Sequence, residues 1–176
     1  LLDRTIEALR RGGADRIMFM TSKEKAQIHI NHLGGTVDYR IKSSESMWDS
    51  MTESFSYDAD KYLFAMPDTY IPIDIFQNFL QGDFTLGLFE TLRPKRFGVL
   101  LDDEVVNKAE LPVRKYQAWG VLGWTRKVVE YWQENAENIH DYTEAINAAI
   151  HKFGFTVKPM AYYYDMASWA DYRDFI

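Results

Sequence analysis

The stretch Tyr62-Leu63-Phe64-Ala65-Met66-Pro67-Asp68-Thr69 decides how this chain is read. Its first five residues are apolar at every position. They are too few for a helix and do not alternate, so they predict a strand covered on both faces. Pro67 stops the strand because proline brings no amide to a ladder. Asp68 then stands just past the carboxyl end. In open sheets of parallel strands, ligands gather beyond those ends, where the following helices present their N-termini. A carboxylate there either serves a ligand site or caps the segment after it.

Outward from this strand, short apolar runs alternate with amphipathic helices. That pattern predicts an α/β three-layer sandwich, with a mostly parallel central sheet between two layers of helices. Leu2, Ile6 and Leu9 give a first helix that Gly12-Gly13 stops. Arg16-Ile17-Met18-Phe19-Met20 reads as a buried strand. Ser22 caps the next helix, in which Ala26, Ile30 and Leu33 share a face before Gly34-Gly35. Residues 36–41 alternate as a strand, and a helix from about Ser46 to Phe55 aligns Met47, Met51 and Phe55. The middle of the chain is more antiparallel in character. Residues 84–89 and 96–101 are strand-like, and Asp102-Asp103-Glu104 forms a hairpin turn into Val105-Val106. Residues 118–124 predict a strand, 125–133 and 142–153 helices, and 155–159 and 162–165 short strands. A last helix starts near Ser168. No linker or repeat divides the 176 residues, so a single domain is expected.

Composition removes several functions. With 47% apolar residues the chain can fill one substantial core. A formal charge of −6 argues against a sequence-independent nucleic-acid surface, and Arg93-Pro94-Lys95-Arg96 is a loop contact, not a groove. With no cysteine, disulfides, zinc-thiolate sites and thiol nucleophiles are excluded, which fits a cytoplasmic protein. No apolar run is long enough to span a membrane. His29 and His32 sit at i, i+3 on a helix, but no third metal ligand accompanies them.

Asp165 repeats the placement of Asp68, following the short strand that ends in Tyr162-Tyr163-Tyr164. Two carboxylates at one rim make a hard-oxygen site suited to Mg²⁺, which takes a few carboxylates plus phosphate oxygens. From spacing alone, each reads more readily as the cap of the helix after it, because strand-end aspartates are common.

Phe64-Ala65-Met66-Pro67-Asp68-Thr69 resembles the segment of the sugar nucleotidyltransferases in which an aspartate after a central strand binds the catalytic metal. Tyr164-Asp165-Met166-Ala167-Ser168-Trp169-Ala170-Asp171-Tyr172 resembles the closing motif of that family, aromatic-Asp-x-Gly-Thr before a helical tyrosine. Here Ala167 and Ser168 replace the glycine and threonine. Leu1-Leu2-Asp3-Arg4-Thr5-Ile6 looks like the helix after the family's proline-lysine motif. The resemblance runs from the first residue nearly to the last, nearest to the glucose-1-phosphate thymidylyltransferase type. It implies a nucleotide-diphospho-sugar transferase fold of Rossmann-like kind.

Three further segments extend it. Gly98-Val99 through Val106-Asn107-Lys108 resembles the strand pair leading to the family's Glu-Lys-Pro motif, whose lysine contacts the sugar phosphate; Asn107 replaces the glutamate and no proline follows. The resemblance thus implies sugar-phosphate contacts at Asn107 and Lys108. Ala118-Trp119-Gly120-Val121 resembles the strand whose glycine lets the backbone approach the sugar, so Gly120 is a substrate contact or a tight strand crossing. Ser46-Met47-Trp48-Asp49-Ser50 falls where the family receives the base, which makes Trp48 a stacking residue or a core aromatic.

The implied reaction moves a nucleotidyl group from a nucleoside triphosphate to a sugar 1-phosphate, with Mg²⁺ held by Asp68 and Asp165 and with Lys108 on the nucleophile. The implied partners are those two substrates, with no nucleic acid and no membrane; a homo-oligomer is compatible with it. The family's first strand and glycine-rich triphosphate loop have no counterpart in residues 1–176, which open on Leu1-Leu2. The expectation is an N-terminally incomplete domain whose activity needs that upstream segment. The alternative is a non-catalytic regulatory or assembly domain of the same fold.

Overall fold

The computed structural model describes residues 1–42, 46–108, 110–166, 168 and 171–173. The chain begins with α1 (Leu2–Arg11), β1 (Met18–Thr21), α2 (Lys23–Leu33), β2 (Asp38–Ile41) and α3 (Met47–Glu53). Next come β3 (Lys61–Ala65), β4 (Thr69–Tyr70), β5 (Phe84–Thr91), β6 (Gly98–Leu101), β7 (Glu104–Asn107) and β8 (Tyr116–Thr125). It continues with α4 (Arg126–Glu134), α5 (Tyr142–Phe153), β9 (Thr156–Pro159) and β10 (Tyr164–Asp165).

Local chemistry explains the element ends. Arg10 and Arg11 face the negative end of α1, and Gly13 turns out of it at φ +89°, a region that suits glycine. Ser46 and Asp49 bond each other's backbone amides in a capping box at the start of α3. Asp141 accepts the amides of Thr143 and Glu144 at the start of α5. Asp102 and Asp103, at φ 48° and 65°, form the two-residue turn between β6 and β7.

The sheet is mixed, which corrects the mostly parallel arrangement expected from the alternation of elements. Its order is β7-β6-β8-β5-β9, and β3 also pairs with β8. β8 is the spine. It runs antiparallel to β5 along its whole length, while its other edge takes Val99 of β6 near one end and all of β3 near the other. Among the described residues, only β5–β9 and the separate β1–β2 pair are parallel. A strand buried on both faces reads as an apolar run whichever way its neighbours point, so the sequence pattern carried no direction.

Each face of the sheet has its own core. Phe84, Leu86, Leu88, Trp119, Leu122 and Trp124 pack with side chains of α3, α4 and α5. On the other face, Phe89, Val99, Ala118 and Val121 meet Ala8 of α1 together with Ile71, Ile75, Phe76 and Phe79. A third cluster joins Ile17, Phe19 and Leu33 to Leu2, Ile6 and Leu9. α1 therefore bridges the β1–β2 unit to the main sheet. Residues 62–66, expected as a fully covered central strand, are only half-buried. Among the described residues β3 pairs only with β8, and β1 only with β2.

Candidate functional site

After β3, Met66-Pro67-Asp68 turns the chain into β4, which β10 meets antiparallel. Asp165 stands opposite Thr69, and the amide of Met166 donates to the carbonyl of Asp68 at 2.9 Å. The two strand-end aspartates thus occupy neighbouring positions at one rim. Burial pushes the Asp68 carboxyl above its ordinary range, and the charge of Asp165 adds to the rise. The Asp68 amide, Lys25 and Arg96 work against it.

Asp165 is tied to a cation of the chain itself. Arg96 donates through Nε to Asp165 Oδ2 at 2.9 Å and through Nη1 to Asp171 Oδ1 at 2.5 Å. Asp171 and then Asp165 hold the guanidinium above its usual range. Arg96, followed by Ser168, holds the Asp171 carboxyl well below the carboxylate range. The Ser168 amide and hydroxyl also donate to Asp171, and the Ser168 hydroxyl accepts the Asp171 amide. That reciprocal cap opens the helical residues 171–173. Ala167, Trp169 and Ala170 of the closing motif lie outside the described residues.

Arg93, Lys95, Arg96, Lys108, Asp165 and Asp171 line an open cleft of about 590 Å³. Lys108 leaves β7 in a left-handed conformation, φ 46°, and its amide donates to Phe97. Lys108 and Asp165 therefore share one cleft. Exposed Asn107 ends β7 opposite Gly98, directly before Lys108.

Two expected substrate contacts lie elsewhere. Trp48 is 9% exposed and packs edge-on against Trp132 and Phe55 in the core beneath α3 and α4. Trp48 thus sits as the core aromatic of the two alternatives, and with Phe55 and Trp132 it also lines an open pocket. Gly120 is the residue the β5–β8 register skips, since Gly87 pairs with Val121 and Leu88 with Trp119. The ring of Tyr163 occupies the space over it, 2.5 Å from where a Cβ would stand. This close packing has the form of the tight-crossing alternative.

Arg96, Asp171 and Tyr163 escaped sequence reasoning. Ser168-x-x-Asp171 is itself a capping pattern, and Arg96 lies in the noted basic loop. Nothing in spacing announces bonds that span 69 and 75 residues.

As a donor set, Asp68 and Asp165 fit Mg²⁺, which takes one or two carboxylates and completes its shell with phosphate oxygens and water. Among the described residues no three His, Cys, Asp or Glu side chains converge on a point that could hold a metal ion. Nor is any helix among them long and apolar enough to cross a membrane.

No protein-family model matches the sequence, and no curated protein matches it. Solved structures do. A putative glucose-1-phosphate thymidylyltransferase from Bacillus anthracis, in complex with a sucrose, superposes with a TM-score of 0.82 at 19% identity, covering 98% of this chain and 79% of that one. The inositol-1-phosphate CTP transferase from T. maritima gives 0.68 at 15% identity, covering 97% and 77%. HddC from Yersinia pseudotuberculosis, complexed with GMP-PN, gives 0.66 at 20% identity, covering 98% and 82%. The fold is that of the sugar nucleotidyltransferases. In this sugar nucleotidyltransferase fold, the two aspartates and the basic cleft lie along β4, β10 and the end of the β6–β7 hairpin.

Proposed function

We propose that residues 1–176 act as one unit, a sugar-1-phosphate nucleotidyltransferase domain. The observation that supports the reading is that Asp165 stands opposite Thr69 while Asp68, directly before it, accepts the Met166 amide, beside a cleft that Asp165 shares with Lys108. In the reaction, a phosphate oxygen of the sugar 1-phosphate forms a bond to the α-phosphorus of a nucleoside triphosphate. The bond from that phosphorus to the bridging oxygen breaks, and pyrophosphate leaves with the electron pair. The protein contributes position and charge more than covalent chemistry. Lys108, with Asn107 beside it, holds the sugar phosphate against the attack line. Asp68 and Asp165 hold Mg²⁺, which when bound neutralises the crowded phosphate charge.

The triphosphate needs a cradle of backbone amides. Gly12-Gly13 and Gly34-Gly35 close α1 and α2 instead.

Calorimetry of dTDP-glucose binding, with and without Mg²⁺, tests the proposal. Mg²⁺-dependent binding should disappear in Asp68→Asn while far-ultraviolet circular dichroism stays unchanged. Binding of equal strength in EDTA would sink the metal assignment. Pyrophosphate release across a panel of nucleoside triphosphates and sugar 1-phosphates identifies base and sugar. The grip of Arg96 on Asp165 favours a second reading, a non-catalytic regulatory or assembly domain, for which that panel gives no release.

A further inference from the structure

We propose that Arg96 is the resident counter-cation of the acidic rim, and that a divalent ion gains Asp165 in competition with it. This rests on the reading of Asp68 and Asp165 as a metal pair.

The rim is set up to need a cation. Asp165 ends one small ladder opposite Thr69, Asp68 directly precedes that ladder and accepts the Met166 amide, Asp68 is half-buried, and the charge of Asp165 acts on it as like charges do. The chain supplies its own remedy from the loop before β6. Arg96 spreads its fork across both Asp165 and Asp171, 2.9 and 2.5 Å away, and Nη2 reaches the Asp165 carbonyl at 3.4 Å. A guanidinium suits this task, because it stays charged at any ordinary pH and its planar donors bridge two acids at once. The Arg96 and Asp165 side chains are 27% and 22% exposed, so water screens the pair only in part.

A divalent ion on Asp165 would bring a second positive charge against that guanidinium. Asp171 offers the alternative berth. Ser168 fixes Asp171 through its amide and hydroxyl, so Arg96 can keep its Nη1 bond there while Nε gives up Asp165. The other groups lining the cleft on this side, Arg93, Lys95 and Lys108, are also cationic. None of them offers a released Arg96 a competing carboxylate. Metal binding is then the exchange of one cation for another, and its affinity is set below what the two aspartates alone would give.

Free Mn²⁺, followed by its electron paramagnetic resonance signal, is titrated with the full protein and its variants. Arg96→Gln should bind Mn²⁺ about tenfold more tightly than the parent, the scale on which neighbours of a ligand alter metal affinity. Asp68→Asn should bind none. Equal or weaker binding by Arg96→Gln overturns the competition while leaving the metal pair standing. Absence of binding in every variant, Arg96→Gln included, removes the metal pair and the competition together. Because Arg96→Gln also alters the bond to Asp171, the unaltered protein provides an independent check by NMR. The Arg96 Nε–Hε resonance should move with Mg²⁺ at the same half-saturation as ion binding. A resonance unmoved at saturation overturns the proposal.

Discussion

A Cβ on Gly120 would lie 2.5 Å from the Tyr163 ring and 2.9 Å from the Met160 methyl. Tyr163 in turn stacks on Phe89 with centroids 4.4 Å apart and meets Phe97 edge-on, so its ring has little room to retreat. Gly120→Ala should therefore destabilise the fold by about 1–3 kcal/mol, as overpacking of a filled core does. Urea unfolding measures it, and Tyr163→Leu in the same background should recover part of the loss by making room. The sequence marked Gly120 as special without giving the reason, because the ring that fills its space arrives from a distant part of the chain. Asp68 was legible for the opposite reason. An apolar run closed by proline is a local signal, and the aspartate after it inherits a strand-end position. The bonds of Arg96 depend on where three separate segments meet, which no local pattern encodes.

Elements whose ends are fixed by neighbouring residues were readable in the sequence. Gly12-Gly13, Ser46, Asp102-Asp103 and Tyr142 through Phe153 all lie where their local chemistry puts them. Strand direction was not readable, because Tyr62 through Ala65 would look alike beside a parallel or an antiparallel partner. The small β1–β2 pair adds a test at this scale. Arg16 donates to Asp38 at 2.8 Å and lies over the ring of Tyr57, whose hydroxyl also donates to Asp38. The Arg16 bond first, and the Tyr57 bond second, hold the Asp38 carboxyl below its ordinary value of 3.8. A depressed value means that the clamp contributes above pH 3.8 and is lost as pH falls through the lowered value. Carboxyl ¹³C titration should place the Asp38 midpoint under 3.8. Arg16→Ala should return it towards that value, and a midpoint indifferent to Arg16 would dismiss the clamp.

At the scale of the molecule, β8 is paired on both sides over Val121 to Trp124, by β5 and by β3, whereas among the described residues β3 is paired on one side only. Native-state hydrogen exchange should therefore protect every amide of residues 121–124. Within β3 it should protect alternate amides, those directed at β8, and leave the rest fast. Uniform slow exchange across β3 would mean that its second edge is covered in solution. The same edge bears on how the protein behaves among other chains. A row of peptide groups without partners is a template for any extended segment that comes into register, whether from another copy or from an unrelated polypeptide. Lys61 is the one charged residue of β3, at its very start, so little electrostatic repulsion guards the remainder. Crowding, slow synthesis and long storage all lengthen the time this template waits. Keeping the protein dispersed is then a matter of what occupies that edge first.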